Sequence, residues 1–449
     1  MFSYSKRCDV ELDIDVLVCG GGSAGVPAAV AAARQGARVL LVEQFGFAGG
    51  IITAVQTPCF DGMHDVQTGR IAVAGLALEI AHRLGLNVRD ASLEEVEADL
   101  PLRDRGWMGP GGVETHDAAL VRGASAVSWP IDPEAYKLVA DRLLVEAGVS
   151  VLYHTRLIDA IVADGRIETV IAVNKGGLVA IHPEIVIDCT GDADIVAWAG
   201  APFEIAEQMQ PMSMHFRIAN VPATQEVQAA SAQVLKDAHA RGEIGVYGGP
   251  WMRAMAPDEF LINGTRYIGN ALDPWELTRA EIQGREDVAT ILELWRKHIP
   301  EFADAYLVSS GPAVGARETR RIVGDYTLTV DDILESKHFD DVIVRGAWFL
   351  DRHPSDGHAG PHPHLRVPSY GIPYRTLLPQ GVQNALVAGR CHSATHEALS
   401  SSRVTVTAMG MGEAAGTAAA MALASKRFPR EIDIPQLQAQ LQRQNVILN

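Results

Sequence analysis

The chain has 449 residues, 47% of them hydrophobic and 21% charged, with a formal net charge of −17 at pH 7 and an isoelectric point near 5.3. That length allows two or three domains around a large core, and the acidic balance argues against nucleic acid or an anionic membrane as a partner. No apolar run approaches the roughly 18 residues of a membrane span, and the opening MFSYSKRCDVELDID lacks a signal-peptide core, so a cytoplasmic protein is expected.

The first predicted unit is the most informative. Ile14 to Glu43 reads IDVLVCGGGSAGVPAAVAAARQGARVLLVE. An apolar strand, Ile14 to Cys19, enters a glycine turn. An alanine-rich helix follows from about Ser23 and stops near Gly36, and a second apolar strand ends at Glu43. This is a βαβ unit of the dinucleotide-binding kind. Gly20 permits the tight turn, Gly22 lets the backbone approach a pyrophosphate, and Gly25 lets the helix pack on the strand. The helix N-terminus offers N–H groups and a positive dipole end to phosphates. Glu43, 23 residues after Gly20, is placed to accept hydrogen bonds from ribose hydroxyls. Pro27 falls in the first helical turn, where its missing N–H is harmless. Two dinucleotides, FAD and NAD(P), remain open at this point.

After Glu43 the pair Gly49-Gly50 suggests another close backbone approach to a ligand. A helix is expected near Gly75 to Leu84, and Asp104 to Gly112 reads as a surface loop. Asp132-Pro133 caps a helix that ends at Gly148. Short strands follow: Val149 to Tyr153, Leu157 to Ala163, Glu168 to Asn174, Leu178 to His182 and Glu184 to Asp188. They form an antiparallel meander leading into an apolar strand with Thr190, Gly191 and Asp192 at its end. From about 201 to 370, segments such as PMSMHFRIANVP and TRYIGNAL suggest a second sheet. Helices near 222 to 241 and 277 to 298 would pack around it. The proline- and histidine-rich stretch 353 to 374 reads as a binding loop or lid. NALVAGR supplies a short strand, and Arg403 to Ser425 a single long helix of small residues. Beyond about 426 lies a polar, amphipathic tail.

The five cysteines, Cys8, Cys19, Cys59, Cys189 and Cys391, are scattered. None form a C-x-x-C, which opposes an iron–sulfur cluster and a redox dithiol. Cys19 and Cys189 read as buried small hydrophobes. Cys59 and Cys391 fall in loops near the expected cofactor.

Three motifs together, GGGSAG with Glu43, DCTGDAD, and AGRCHSATHEALSSSRVTVTAMGMGEAAGTAAA, resemble FAD-dependent oxidoreductases of the glutathione-reductase-fold superfamily. More distantly the chain is similar to succinate dehydrogenase and fumarate reductase flavoproteins. The resemblance implies an α/β fold with a Rossmann-like FAD domain split over 10–60, 131–200 and 375–425. A mixed β-sheet/α substrate or cap domain would comprise 61–130 and 201–374, with 426–449 as a tail. It implies that Gly20, Gly22, Ser23, Ala24 and Gly25 hold the pyrophosphate, and that Glu43 and Gln44 meet the ribose. Gly49 and Gly50, the turn Thr190, Gly191 and Asp192, and Gly389 and Arg390 would lie along the cofactor. Gly412 and Ala415, on the long helix, would face the flavin's pyrimidine edge. A second G-x-G-x-x-G is missing, since Gly311 and Gly315 lack the spacing, so the resemblance favours FAD over NAD(P) as the resident cofactor.

A flavin dehydrogenase must hold a substrate carbon against flavin, remove a proton and exclude water. His396 matches the position of a substrate-contacting histidine in the distant relatives, as general base or hydrogen-bond donor. His392 is a second candidate, with holding of the loop as its other reading. Glu397 either orients an imidazole or caps a helix. Arg375 could clamp a carboxylate or form a structural ion pair. Arg217, Arg366 and Arg403 are further candidates, while Arg317, Arg320 and Arg321 read more readily as a structural or surface network. His353, His358, His362 and His364 invite a metal reading, but no carboxylate spacing supports it, and no metal is expected. His64 could attach to flavin, a role nothing else supports. The expected activity is oxidation of a small polar substrate, a CH–OH or CH–CH donor, with an unknown electron acceptor and a possible homo-oligomer. The alternatives are a reductase fed by NAD(P)H or a partner, and a non-catalytic flavin subunit of a larger complex.

Overall fold

The computed structural model describes residues 5–8, 10–57, 59–65, 68–90, 128–353 and 367–449. In chain order the principal elements begin with β1 (Val10–Cys19), α1 (Gly25–Arg34), β2 (Val39–Val42), α2 (Leu76–Arg83) and α3 (Pro133–Glu146). Next come β3 (Ser150–Leu152), β4 (Arg156–Ala163), β5 (Arg166–Asn174), β6 (Gly177–Asp188) and α4 (Asp194–Trp198). The middle of the chain forms β7 (His215–Ala219), α5 (Gln225–Ala240), β8 (Tyr247–Ala256), β9 (Glu259–Thr265), α6 (Pro274–His298), β10 (Tyr306–Ser310) and α7 (Val330–Leu334). The chain closes with β11 (Ala385–Val387), α8 (His396–Ser402), α9 (Thr405–Ser425) and α10 (Ile434–Arg443).

The first sheet has the order β3-β2-β1-β6-β5-β4, with β11 also paired to β6. β1 runs parallel to both β2 and β6, and β11 runs parallel to β6. The apolar runs Val16–Cys19, Val39–Val42 and Ile185–Asp188 are buried, as strands covered on both faces must be. Their carboxyl ends coincide. Cys19 pairs with Val42 and with Asp188, and Asp188 pairs with Val387. The turns after β1, β6 and β11 therefore open at one edge, where ligands sit in open α/β sheets.

The expected break between Leu178–His182 and Glu184–Asp188 is absent: β6 runs through Pro183 as one strand of 12 residues. Its antiparallel pairing with β5 ends at Val170 opposite Ile181, and β11 takes over from Val186. On that edge Pro183 falls between the two partners, while its other edge faces Ile14 of β1.

The second sheet, β8-β9-β7-β10, is antiparallel. Asp273 caps α6, its carboxylate accepting from the N–H groups of Trp275 and Glu276, with Pro274 as the first helical residue. Thr224 caps α5 in the same way. The two helices bury Trp295 against Phe216 and Phe302, and the Trp295 indole donates to the Ser231 carbonyl at 3.1 Å. Each such buried ring stabilises the fold by roughly 2–3 kcal/mol. This core, with Met214, Phe260 and Ile262, is separate from that of the first sheet.

Four features bear on the expected boundaries. α2 buries Leu76, Ala77, Ile80 and Ala81 in the core that α1 and α9 share, so this part of 61–130 packs with the first sheet. A hairpin of Val342–Gly346 with Tyr370–Pro373 joins the same core. The tail also folds: Leu437 and Leu441 on α10 are completely buried there. The expected long helix divides in two, because Arg403 closes α8 and Val404 adopts an extended conformation before α9 begins. The expected loop 104–112 lies outside the described residues.

Candidate active site

Glycine geometry separates packing from ligand approach in the first turn. Gly20 has φ of +95°, and a side chain there would press on the Cys189 carbonyl oxygen at 2.7 Å. A Cβ on Gly25 would meet the Gly20 carbonyl oxygen at 1.8 Å, so helix and strand touch there. Gly22 differs: its Cβ would meet nothing closer than Gly50 Cα at 3.8 Å, an ordinary contact. The protein itself does not require glycine at 22, whereas a phosphate group laid over that backbone would. The hydroxyl of Ser23, next in the turn, is buried with no partner among the described residues. An orphan donor beside an open glycine cradle at a helix N-terminus fits the pyrophosphate of a dinucleotide.

Glu43 is 7% exposed. Its carboxylate accepts from Gly21 N–H at 2.8 Å and from Phe45 N–H at 2.9 Å. Burial raises its pKa, and these backbone donors work against the rise. Two oxygens offer about four acceptor positions, so capacity for a ribose hydroxyl remains. Gln44 adjoins it. Gly49 N–H donates to the Gly21 carbonyl at 2.8 Å, and a Cβ on Gly50 would meet Gly22 Cα at 2.8 Å. The second glycine pair thus packs directly on the first turn.

The Thr190-Gly191-Asp192 turn is organised by Asp188, which accepts from the Thr190 hydroxyl and from the N–H groups of Ile195 and Val196. Asp192 is held by Arg390 at 2.7 Å and by the Thr319 hydroxyl at 2.5 Å. Arg390 also donates to Thr319 at 3.0 Å. Gly389, with φ of +95°, sits against Ala24: a Cβ there would be 3.2 Å from the Ala24 Cβ. The turns after β1, β6 and β11 therefore meet.

Gly412 and Ala415 are revised. A Cβ on Gly412 would meet the Ala24 carbonyl oxygen at 2.0 Å, and one on Gly416 would meet that of Ala28 at 2.1 Å. These glycines let α9 lie on the α1 backbone. Gly412 is thus explained by helix packing, and Ala415 is wholly buried in the same core.

His396 is the first residue of α8, whose cap is the Thr395 hydroxyl. Its Nδ1 lies 2.8 Å from Glu318 Oε2. The Glu318 side chain is fully buried while that of His396 is 27% exposed. A carboxylate only accepts, so Nδ1 carries a proton, and in the neutral imidazole Nε2 then holds the lone pair. This is the orientation a general base requires. Glu318 also accepts from Gln210 N–H at 2.6 Å and lies 3.7 Å from Arg321. The partner of His396 is therefore Glu318, not Glu397. Sequence reasoning missed it because 78 residues separate the two, and GARETRR reads locally as a structural or surface network of arginines. In the fold that segment is internal. Arg320 bonds Asp194, Arg321 donates to the Ala394 carbonyl, and Arg317 donates to Ser213.

Other candidates lie elsewhere. His392 is fully buried, its Nε2 is 2.8 Å from the Ser402 hydroxyl, and burial lowers its pKa to about 3. That geometry matches the loop-holding role. Arg375 pairs with Asp341 at 2.9 Å and stacks over Tyr326, with nearly half its side chain exposed. It is a structural ion pair, and the clamp expectation is withdrawn for it. Arg217 pairs with Glu259 on the neighbouring strand. His64 is buried with one nitrogen on the Arg89 carbonyl and the other on Trp129. His353 lies in the described part of the lid segment, while His358, His362, His364 and Arg366 lie outside it. Among the described residues no cluster suits a metal ion, and no helix is long and apolar enough to cross a membrane.

A family model described as FAD dependent oxidoreductase matches residues 15–441. No curated protein sequence matches the chain. Among solved structures, a geranylgeranyl bacteriochlorophyll reductase-like protein from Thermoplasma acidophilum is 14% identical, with 96% of this chain and 83% of that one covered and a TM-score of 0.49. The flavin-dependent brominase Bmp2 is 14% identical, with 96% and 84% covered and a TM-score of 0.45. OxyS anhydrotetracycline hydroxylase from Streptomyces rimosus is 13% identical, with 96% and 65% covered and a TM-score of 0.46. None of the three is a succinate dehydrogenase or fumarate reductase flavoprotein. With the family model spanning nearly the whole chain, and a glycine cradle that fits its cofactor, this enzyme belongs to the FAD-dependent oxidoreductases.

Proposed function

We propose that the protein is a dehydrogenase or oxidase for a small polar organic molecule, with His396 as the proton acceptor. The observation that carries this reading is the His396–Glu318 pair. Glu318 fixes the tautomer of the neutral imidazole, whose Nε2 then presents its lone pair from the start of α8. Oxidation of a CH–OH group removes two electrons and two protons. One proton leaves carbon with the electron pair as hydride, and the hydroxyl proton passes to Nε2. FAD, when bound, supplies the two-electron acceptor at its N5.

The chain's own residues provide the setting. Gly20, Gly22, Ser23, Ala24 and Gly25 would hold the pyrophosphate, with Glu43 and Gln44 at the ribose and Gly49-Gly50 closing over the turn. Thr190, Gly191, Asp192, Gly389 and Arg390 would border the cofactor along the sheet's carboxyl edge. The convergence of those turns also supports a glutathione-reductase type of flavin domain. The final electron acceptor lies outside the chain, as oxygen, a quinone or a carrier protein.

The test is flavin reduction without oxygen in wild-type and His396→Ala protein, both loaded with FAD. We expect the variant to keep its flavin and to lose 10²–10⁴-fold in the rate of reduction, the usual scale of general base catalysis at about that range. Unchanged kinetics would remove His396 from the mechanism.

A further inference from the structure

We propose that Arg266, Arg317 and Arg403, with the Gln210 amide, form a binding site for the carboxylate of an organic acid next to His396. This rests on the dehydrogenase reading only in taking that acid to be the substrate.

The three arginines come from different elements and share neighbours. Arg266 and Arg317 both donate to the Ser213 hydroxyl, at 2.7 and 2.9 Å. Arg266 also donates to Asn263 and to the Thr265 carbonyl, and it stacks over Trp251 at 4.9 Å. Arg403 donates to Asp351 and, at 3.4 Å, to Gln210 Oε1. The Gln210 backbone N–H donates to Glu318, the residue that holds His396. A continuous hydrogen-bonded path therefore joins Arg403 to the proton acceptor.

Among the described residues the charge around these arginines does not balance. Arg266 and Arg317 are 5% and 8% exposed, and the Arg403 side chain 11%. Among the described residues Asp351 is bonded to the group through Arg403, and it also meets His353 at 3.3 Å. Glu318 is already engaged by His396, Gln210 and Arg321. Burial, together with repulsion among the arginines, holds Arg266 and Arg317 below the usual guanidinium range, although Asp351 opposes this. His215 and His353 are kept neutral, chiefly by burial, and offer no compensating negative charge.

Donors are also left over. Arg266 Nη2, Arg403 Nε and Gln210 Nε2 are buried without a hydrogen-bond partner among the described residues. Unpaired buried donors on charged groups are rare and costly. A planar carboxylate with two acceptor oxygens would answer both the charge and the missing partners, and guanidinium suits it geometrically. Trp251 holds the Arg266 plane in place, which limits the ordering needed on binding.

The test uses the FAD-loaded enzyme at constant ionic strength. Acetate, succinate and benzoate are titrated, each against its neutral amide, with chloride and inorganic phosphate as controls. Flavin absorbance changes and the unfolding temperature are both followed. At least one carboxylate is expected to saturate both signals, with its amide and chloride inactive. Arg266→Gln and Arg403→Gln should each weaken binding at least tenfold, while Arg217→Gln, on an unrelated ion pair, should not. Gln210→Ala removes an unpaired donor and no charge, and it gives the same reading if an arginine variant does not fold. A response absent with all three acids, shared by the amides, matched by phosphate, or unaltered in Arg266→Gln and Gln210→Ala would overturn the site. His396→Ala separates the two proposals: it should bind the carboxylate as wild type does yet fail in flavin reduction. Carboxylate binding with unimpaired reduction in that variant would sink only the proton role.

Discussion

At the residue scale the structure distinguishes glycines that serve packing from those that serve a ligand. Gly22 has room for a methyl group and Gly25 has none. Gly22→Ala should therefore fold with near wild-type stability and retain less FAD after dialysis. Gly25→Ala should lose stability, by about 3 kcal/mol or more, since the obstructing atom is backbone and cannot rotate away. A chemical unfolding curve and a flavin-to-protein ratio decide both, and stoichiometric flavin in Gly22→Ala would refute the pyrophosphate role. The His396–Glu318 pair makes a second residue-scale prediction. Glu318→Gln should slow flavin reduction, and combining it with His396→Ala should add almost nothing, because the carboxylate acts only through the imidazole. Additive losses would mean that Glu318 stabilises the loop rather than orienting the base.

At the scale of elements, α9 decides whether the cofactor turns can meet. Its Gly412 and Gly416 touch the α1 backbone at Ala24 and Ala28, beside the first glycine turn. Gly412→Ala is expected to lower the unfolding midpoint, at the upper end of the roughly 1–3 kcal/mol that overpacking costs, and to weaken FAD binding indirectly. A variant with unchanged stability would show that the helices can separate freely. The sequence pattern made α1, β1, β2 and α3 legible because each carries a local signal: a glycine turn, buried apolar runs, or the Asp132 cap, which accepts from Glu134 N–H as expected. It also found α2 at Leu76–Arg83, but not that α2 and α10 pack into the core of the first sheet, which depends on partners far along the chain. The same limit hid Glu318, Gln210 and Arg266. Nothing near these residues in sequence reveals that Glu318 holds His396, that Gln210 holds Glu318, or that Arg266 and Arg317 share Ser213. The FAD motifs are local because phosphate binding is a backbone property of one turn, whereas the proposed carboxylate site would be assembled from residues far apart in the chain.

At the scale of the whole molecule, Glu413 links helix packing to pH. It sits within α9, almost entirely buried, and accepts from Leu76 N–H at 2.7 Å at the start of α2. Burial raises its pKa from 4.5 to about 8, partly opposed by that hydrogen bond. Because the folded state holds the proton more tightly than the unfolded chain, this contribution to stability is fully present below pH of about 4.5 and is lost as pH rises through about 8. Glu413→Gln should remove that part of the pH dependence, measured as unfolding midpoints across the interval. An unchanged pH profile in the variant would assign the dependence to other groups.

The central claim joins both cores: FAD is reduced by an organic acid through His396, not by nicotinamide. The most direct measurement is the flavin absorbance of the oxygen-free enzyme after adding NADH or NADPH, and then a series of hydroxy acids. The account predicts no bleaching by either nicotinamide, and bleaching by at least one acid that is lost in His396→Ala. Rapid bleaching by NADPH with no response to any acid would contradict it and make the protein a reductase.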